Sequence, residues 1–221
     1  MEDLKKARWY LDKLIEEVEF PKGVVNCVTG FGVEVGQPLV EHKDVAKIAF
    51  TGSDVSGQKI YENAAKKIIP VSLELGGKSP NIVFEDADFD AAVMGVISGI
   101  FAATGQTCIA GSRLLVQKNI HDKFVEKLIK VAGDAKIGDP MSLNTHVGPV
   151  TTKPQFDKIM NYIEIAKTEG AECVLGGKPY TGSGSKGSRF IEPTIFKNVS
   201  NKMRIAQEEI FGPVLSIIPF E

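Results

Sequence analysis

Apolar side chains recur at helical spacing over residues 4–18, where Leu4, Ala7, Leu11, Leu14, Ile15 and Val18 share one face and charges fill the other. Pro21 and Gly23 end that helix. Residues 24–28 then read as a short buried strand, closed by the turn Thr29-Gly30-Phe31-Gly32, with a helix near 33–42. Residues 47–50 form a second strand, Ser53 caps a helix over 54–67, and 70–75 is a third strand running into Gly76-Gly77. Helix and strand alternate with glycines at the turns, which is the rhythm of a parallel α/β sheet.

The alternation continues past Gly77. Residues 81–84 read as a strand, and 88–103 as a helix apolar on nearly every side (Val93, Met94, Val96, Ile97, Ile100), so burial all round is expected. Residues 112–117 are a strand, 121–132 an amphipathic helix, and 154–168 a helix with Phe156, Ile159, Ile163 and Ala166 on one face. Residues 180–189 are rich in Gly and Ser and predict a flexible surface loop. Residues 191–196 and 214–220 are late strands. The chain stops directly after the last of these, which predicts an open strand edge and so a segment of a longer protein.

Composition narrows the classes. The 221 residues carry a formal net charge of -2, with 43% hydrophobic and 24% charged residues, ordinary for a globular protein. No basic patch points to nucleic acid, no apolar run is long enough for a membrane span, and the charged N-terminus is unlike a signal peptide. The three cysteines (Cys27, Cys108, Cys173) are a poor disulfide framework and have no metal-ligand spacing, so a reducing cytoplasm and no metal site are expected. His42, His121 and His146 are scattered in polar segments and read as solvated surface residues.

Four segments carry candidate chemistry. Cys108 lies in Gly105-Gln106-Thr107-Cys108-Ile109-Ala110-Gly111, between the apolar helix and a strand. Small neighbours let backbone approach a ligand there, as a nucleophilic thiolate needs, although a lone cysteine is more often a buried structural residue. Cys27 and Cys173 keep that structural reading. Glu74 stands between Leu73 and Leu75 before Gly76-Gly77. A carboxylate in that company must be paired or have its pKa raised, which suits a general base, unless it points to water. Gly52-Ser53 leads a strand into a helix N-terminus suited to a pyrophosphate, a weak signal outside the usual glycine fingerprint. In Glu208-Glu209-Ile210-Phe211-Gly212-Pro213, Glu209 could accept from sugar hydroxyls and Phe211 could pack on a flat ring; read blandly, it is a turn with a core phenylalanine.

Taken together and in this order, these segments resemble the NAD(P)-dependent aldehyde dehydrogenase superfamily. The resemblance runs from about Phe20 to Glu221 and includes Gly23-Val24-Val25-Asn26, the Phe50 segment, Glu74-Leu75-Gly76-Gly77-Lys78-Ser79-Pro80, the Cys108 loop and residues 208–213. It implies an aldehyde dehydrogenase-like α/β fold: residues 1–76 the later part of a Rossmann-type NAD-binding domain, and 77–221 an incomplete α/β catalytic domain. By resemblance Cys108 is the nucleophile and Glu74 the general base. Gly52 and Ser53 meet the pyrophosphate, Glu209 holds the nicotinamide ribose, Phe211 is its neighbour at the ring, and Gly30 lies toward the adenine side. The implied cofactor is NAD, with NADP possible, the substrate a small-molecule aldehyde, and full-length relatives are homo-oligomeric.

The implied reaction oxidises an aldehyde to a carboxylic acid through a Cys108 thiohemiacetal and thioester, with the Cys108 N–H as one oxyanion donor. Glu74 favours hydrolysis over transfer to coenzyme A, because acylating relatives do without that base. The sequence also departs from the family. The second oxyanion donor, an Asn in a Pro-Trp-Asn-Phe-type segment, has no counterpart, nor have the Lys and acidic residue of the adenosine ribose site. Loss of one oxyanion donor costs on the order of a hundred- to thousandfold in rate. A catalytically inactive segment is therefore the alternative reading. A cysteine hydrolase ranks below both, because no His stands in these motifs.

Overall fold

A computed structural model describes residues 2–182 and 189–221, with side chains from Trp9 onward. The chain divides into two compact units, Met1–Leu75 and Gly76–Glu221.

In the first unit, α1 (Glu2–Glu17) is followed by an irregular stretch of turns and bends, a π-helical turn at Gly32–Gly36, and α2 (Gln37–Glu41). β1 (Ile48–Thr51) and β2 (Val71–Glu74) pair in parallel, joined by α3 (Asp54–Lys67). The Ser53 hydroxyl accepts from the Ser56 N–H at 3.2 Å and caps α3. Ile68 in the left-handed region ends it, its N–H returning to the Ala64 and Ala65 carbonyls. Residues 24–28 do not form the expected strand. They follow a turn closed by the Val24 N–H on the Pro21 carbonyl, bend at 24–25 and pair with no strand among the described residues, and Val24 and Val28 are exposed. A run of valines favours a strand only where a partner completes the ladder.

In the second unit, five strands take the order β3-β4-β7-β6-β5: Pro80–Val83, Arg113–Gln117, Val214–Phe220, Thr194–Lys197 and Glu172–Leu175. All neighbours are parallel except β5, which runs antiparallel to β6 with a register shift between Cys173 and Leu175. β7 is thus a central strand between β4 and β6, and the expected open edge at the chain's end is not there. β5 escaped the sequence reading, because four residues with one irregularity carry too little alternation to be seen. Cys173 within it is half-buried, donates to the Leu175 carbonyl at 3.3 Å, and has its thiol pKa pushed up by burial.

Alternation along the strands builds two cores. Leu114, Val116, Leu215 and Ile217 face α4 (Phe89–Phe101) and α5 (His121–Gly133). Phe196 and Val214 point the other way, toward α6 (Lys153–Thr168) and α7 (Arg204–Gln207). Asp88 caps α4 through Ala91 N–H, and Thr152 caps α6 through Gln155 N–H. α4 is buried on one side only: Val93, Val96, Ile100 and Phe101 meet the core, whereas Met94 is 55% exposed. A helix lying on one sheet face covers only that stripe, whatever its composition. His121 also departs from expectation, because its side chain is only 16% exposed and its Nε2 is buried without a partner among the described residues. Of the expected loop over 180–189, positions 183–188 lie outside the described residues.

Candidate active site

In the first unit, Gly52, Ser53 and Glu74 share the C-terminal end of the β1–β2 pair. Thr51 stands opposite Glu74, and the Gly52 N–H donates to the Glu74 carbonyl at 3.0 Å. In a parallel α/β sheet that end is where ligands bind, because helix N-termini gather there. A Cβ on Gly52 would overlap the Phe50 ring, so glycine lets the chain turn closely into α3. Glu74 is not enclosed by the leucines beside it in sequence. Along a strand successive side chains take opposite faces, so Leu73 and Leu75 are half-buried while the Glu74 carboxylate is exposed. Leu75 packs where a side chain on Gly57 would otherwise stand. Gly30 is exposed and packs on Val35 of the π-helical turn.

In the second unit, the segment before Cys108 is strongly bent. Ala103, Thr104 and Gly105 take φ of 49°, 58° and 67°, three successive left-handed residues that end α4 and turn the chain outward. Thr104 is buried and donates to the Gly148 carbonyl at 3.1 Å. The Gln106 side-chain oxygen accepts from both the N–H and the hydroxyl of Thr151, each at 3.0 Å, anchoring the loop to the start of α6. Cys108 follows at the tip, with an exposed thiol. Among the described residues its N–H donates to no protein acceptor and is free to meet an oxyanion.

The turn before β7 abuts this loop. A Cβ on Gly105 would overlap the Gly212 carbonyl, so the two backbones touch. Gln155 of α6 donates to the Ile210 and Phe211 carbonyls at 2.8 and 2.9 Å and fixes the turn, with Phe211 half-buried at φ 58°. The adjacent acids have separate fates. Glu208 is bonded to Arg204 at 2.7 and 2.8 Å and to the Tyr162 hydroxyl at 2.6 Å. The Arg204 guanidinium first, and Tyr162 with it, hold the Glu208 carboxyl down to about 2. Burial, reinforced by the bond to Glu208, raises the Tyr162 pKa.

Glu209 instead lies over Gly76-Gly77. It accepts from the Gly77 N–H at 3.3 Å, and a Cβ on Gly76 would overlap both of its carboxylate oxygens. Gly77, Thr107, Ser112, Glu209, Phe211 and Gly212 line one small cavity of about 10 Å³. The structure therefore brings the Cys108 loop, Glu209 and Phe211 together.

Sequence comparison matches residues 5–221 to the Aldehyde dehydrogenase family. The chain belongs to the aldehyde dehydrogenase family. An aldehyde dehydrogenase of Davidiella tassiana is 52% identical over 209 residues, which are 94% of this chain and 41% of that protein. The chloroplastic betaine aldehyde dehydrogenase of Beta vulgaris is 47% identical over 209 residues, with the same shares of both chains. Among solved structures, betaine aldehyde dehydrogenase of Staphylococcus aureus in complex with NAD+ superposes with a TM-score of 0.94 at 44% identity, covering 96% of this chain and 42% of that one. An NAD+ complex of a Bacillus cereus aldehyde dehydrogenase gives 0.91 at 45% identity, covering 96% of this chain and 42% of that one. The chain spans about two fifths of the length of these relatives.

Within this family member, several positions at the site went unassigned from sequence. Gln106 and Gln155 gave no signal, because their partners lie 45 and 55 residues away. Gly76 stood in a quoted motif, but only the fold puts Glu209 on top of it. Lys78 stood there too. Its Nζ is buried with no partner among the described residues, and burial pushes its pKa down to about 8. Among those residues no group of three His, Cys, Asp or Glu is placed to hold a metal, and no helix is long and apolar enough to cross a membrane.

Proposed function

We propose that this chain carries the nucleophile and part of the cofactor site of an NAD-dependent aldehyde dehydrogenase that oxidises an aldehyde to a carboxylic acid. The observation that carries the reading is Cys108: an exposed thiol with a free backbone N–H, on a loop pinned by Gln106 and pressed against the Glu209–Phe211 turn. The residues present fit a dinucleotide. Glu209 sits on a glycine cradle that any side chain would fill, with its carboxylate available to sugar hydroxyls. Ser53 and Gly52 offer the N-terminus of a 14-residue helix to a pyrophosphate. The NAD+ complexes of similar structures support the same assignment.

In the reaction, the Cys108 thiolate adds to the aldehyde carbon, forming a C–S bond and an oxyanion that the Cys108 N–H meets. Bound NAD+ supplies a hydride acceptor. When the aldehyde C–H leaves as hydride, the carbonyl re-forms and Cys108 holds the acyl group as a thioester. Water then adds to the thioester with Glu74 taking one of its protons, and the C–S bond breaks to release the carboxylic acid and the Cys108 thiolate, after which Glu74 loses that proton to solvent. Exposure of Glu74 suits a base that must reach water. Phe211 would pack at the ring of a bound cofactor, and Gly30 would lie toward its adenine end.

The test is calorimetric titration of the 221-residue chain with NAD+, together with cofactor reduction over a panel of aldehydes. Saturable binding, aldehyde-dependent reduction, and loss of turnover in Cys108→Ser are expected. Absence of both binding and reduction would leave the chain a non-catalytic segment.

A further inference from the structure

The second unit holds a buried amine that the proposed chemistry does not use. Lys78 follows Gly76-Gly77, the turn on which the Glu209 carboxylate lies. Its backbone carbonyl accepts from Arg113 Nε at 2.8 Å, so the main chain at this point is fixed. Arg113 stands opposite Ser216 on the sheet, and the Ser216 hydroxyl reaches the Ile205 carbonyl of α7 at 3.5 Å. Arg113 also donates to Asn201 at 3.0 Å. Lys78 thus directly follows Gly77, whose N–H donates to Glu209, and its Nζ is buried and finds no partner among the described residues. A buried, unpaired ammonium is costly, and its field acts strongly on nearby charge because little water screens it.

From this geometry we infer that Lys78 is a positioning residue for Glu209: its buried ammonium is the counter-charge that holds the carboxylate on the Gly76-Gly77 turn, in the orientation that receives the cofactor ribose. The inference rests on the reading of Glu209 as a cofactor contact. Among the described residues two charged groups act on Lys78: Arg113 from β4, which repels its proton, and Glu209 from the segment before β7, which retains it. The attraction is mutual, so an ammonium stabilised by Glu209 stabilises the carboxylate in return. Burial is the largest influence and brings the amine's pKa down to about 8, within reach of working pH. Below that pH the counter-charge is present; above it Lys78 is neutral and the hold on Glu209 weakens.

The experiment follows the backbone nitrogen shift of Gly77 by carbon-detected NMR from pH 6.5 to 9.5, without cofactor, in the wild-type chain, Lys78→Met, Lys78→Arg and Glu209→Gln. NAD+ affinity is measured on the same samples. In the wild type the Gly77 shift should titrate near pH 8 toward the Glu209→Gln value. In Lys78→Met it should sit at that value throughout, with NAD+ binding about tenfold weaker at pH 7. Lys78→Arg, which keeps the charge, should hold the wild-type shift at pH 7; should it fail to fold, the Met variant and the wild-type titration still decide. An unchanged Gly77 shift in Lys78→Met, or a titration near pH 8 that persists in it, overturns the inference. If Glu209→Gln moves Gly77 but leaves NAD+ affinity intact, the role of Glu209 in cofactor binding fails instead, and the Lys78–Glu209 coupling stands.

Discussion

Replacing Lys78 by Met should stabilise the second unit at neutral pH. The two side chains are similar in length, so the exchange removes a buried charge without opening a large cavity. The fall in the Lys78 pKa from the ordinary lysine value of 10.5 to about 8 reflects the net cost of holding that charge there, with burial the largest cause, repulsion by Arg113 next, and attraction by Glu209 opposing both. At ~1.4 kcal/mol per pH unit it comes to about 3 kcal/mol. The direction follows from proton counting. The unfolded chain keeps the Lys78 proton up to its ordinary pKa, whereas the folded chain gives it up near 8, so in that window the unfolded state binds more protons and wild-type stability rises with pH. Below pH 8 the full cost is present. The Met variant lacks this rise: its advantage is greatest at pH 7, shrinks above 8 and is gone once the unfolded chain also titrates. A urea titration read by hydrogen exchange on the β4 and β7 amides measures it, at pH 7 and again near pH 10. A variant less stable than wild type at pH 7, or an advantage that does not shrink with pH, would refute the reasoning. Greater stability together with weaker NAD+ binding would mark Lys78 as a trade of stability for function.

Other substitutions test the packing of the site. Gly76→Ala places a methyl group where the Glu209 carboxylate lies, and the flexible acid can swing away, so thermal stability should change little while NAD+ affinity in calorimetric titration falls. Gly105→Ala meets the Gly212 carbonyl backbone at a left-handed, buried position. Strain of about 1 kcal/mol plus overpacking of ~1–3 should lower stability measurably in a thermal melt and alter the rate of Cys108 alkylation. Gln155→Leu strips one donor from each of the Ile210 and Phe211 carbonyls and should cost about 1–3 kcal/mol in urea unfolding.

What the sequence determined by itself was local. The Ser53 cap and α3, the Thr152-led helix α6 and the amphipathic α5 are fixed by contacts within a few residues, so propensity and periodicity suffice to find them. The order of the motifs was likewise enough to resemble the family. Tertiary structure decided whatever depends on partners distant in sequence. Residues 24–28 have strand composition and no strand to join. β7 looked like an edge and is central, because its neighbours β4 and β6 come from other parts of the chain. Glu74 read from sequence as either enclosed by leucines or pointing to water, and it is exposed, because the strand turns its leucines to the other face. Glu208 and Glu209, adjacent and alike in sequence, diverge because Arg204 and Tyr162 take one while the Gly76-Gly77 turn receives the other. Cys108 follows the same division. Its loop was legible as a motif, whereas its access and the loop's contact with the Phe211 turn required three left-handed residues and the long-range bonds of two glutamines, which no local pattern encodes.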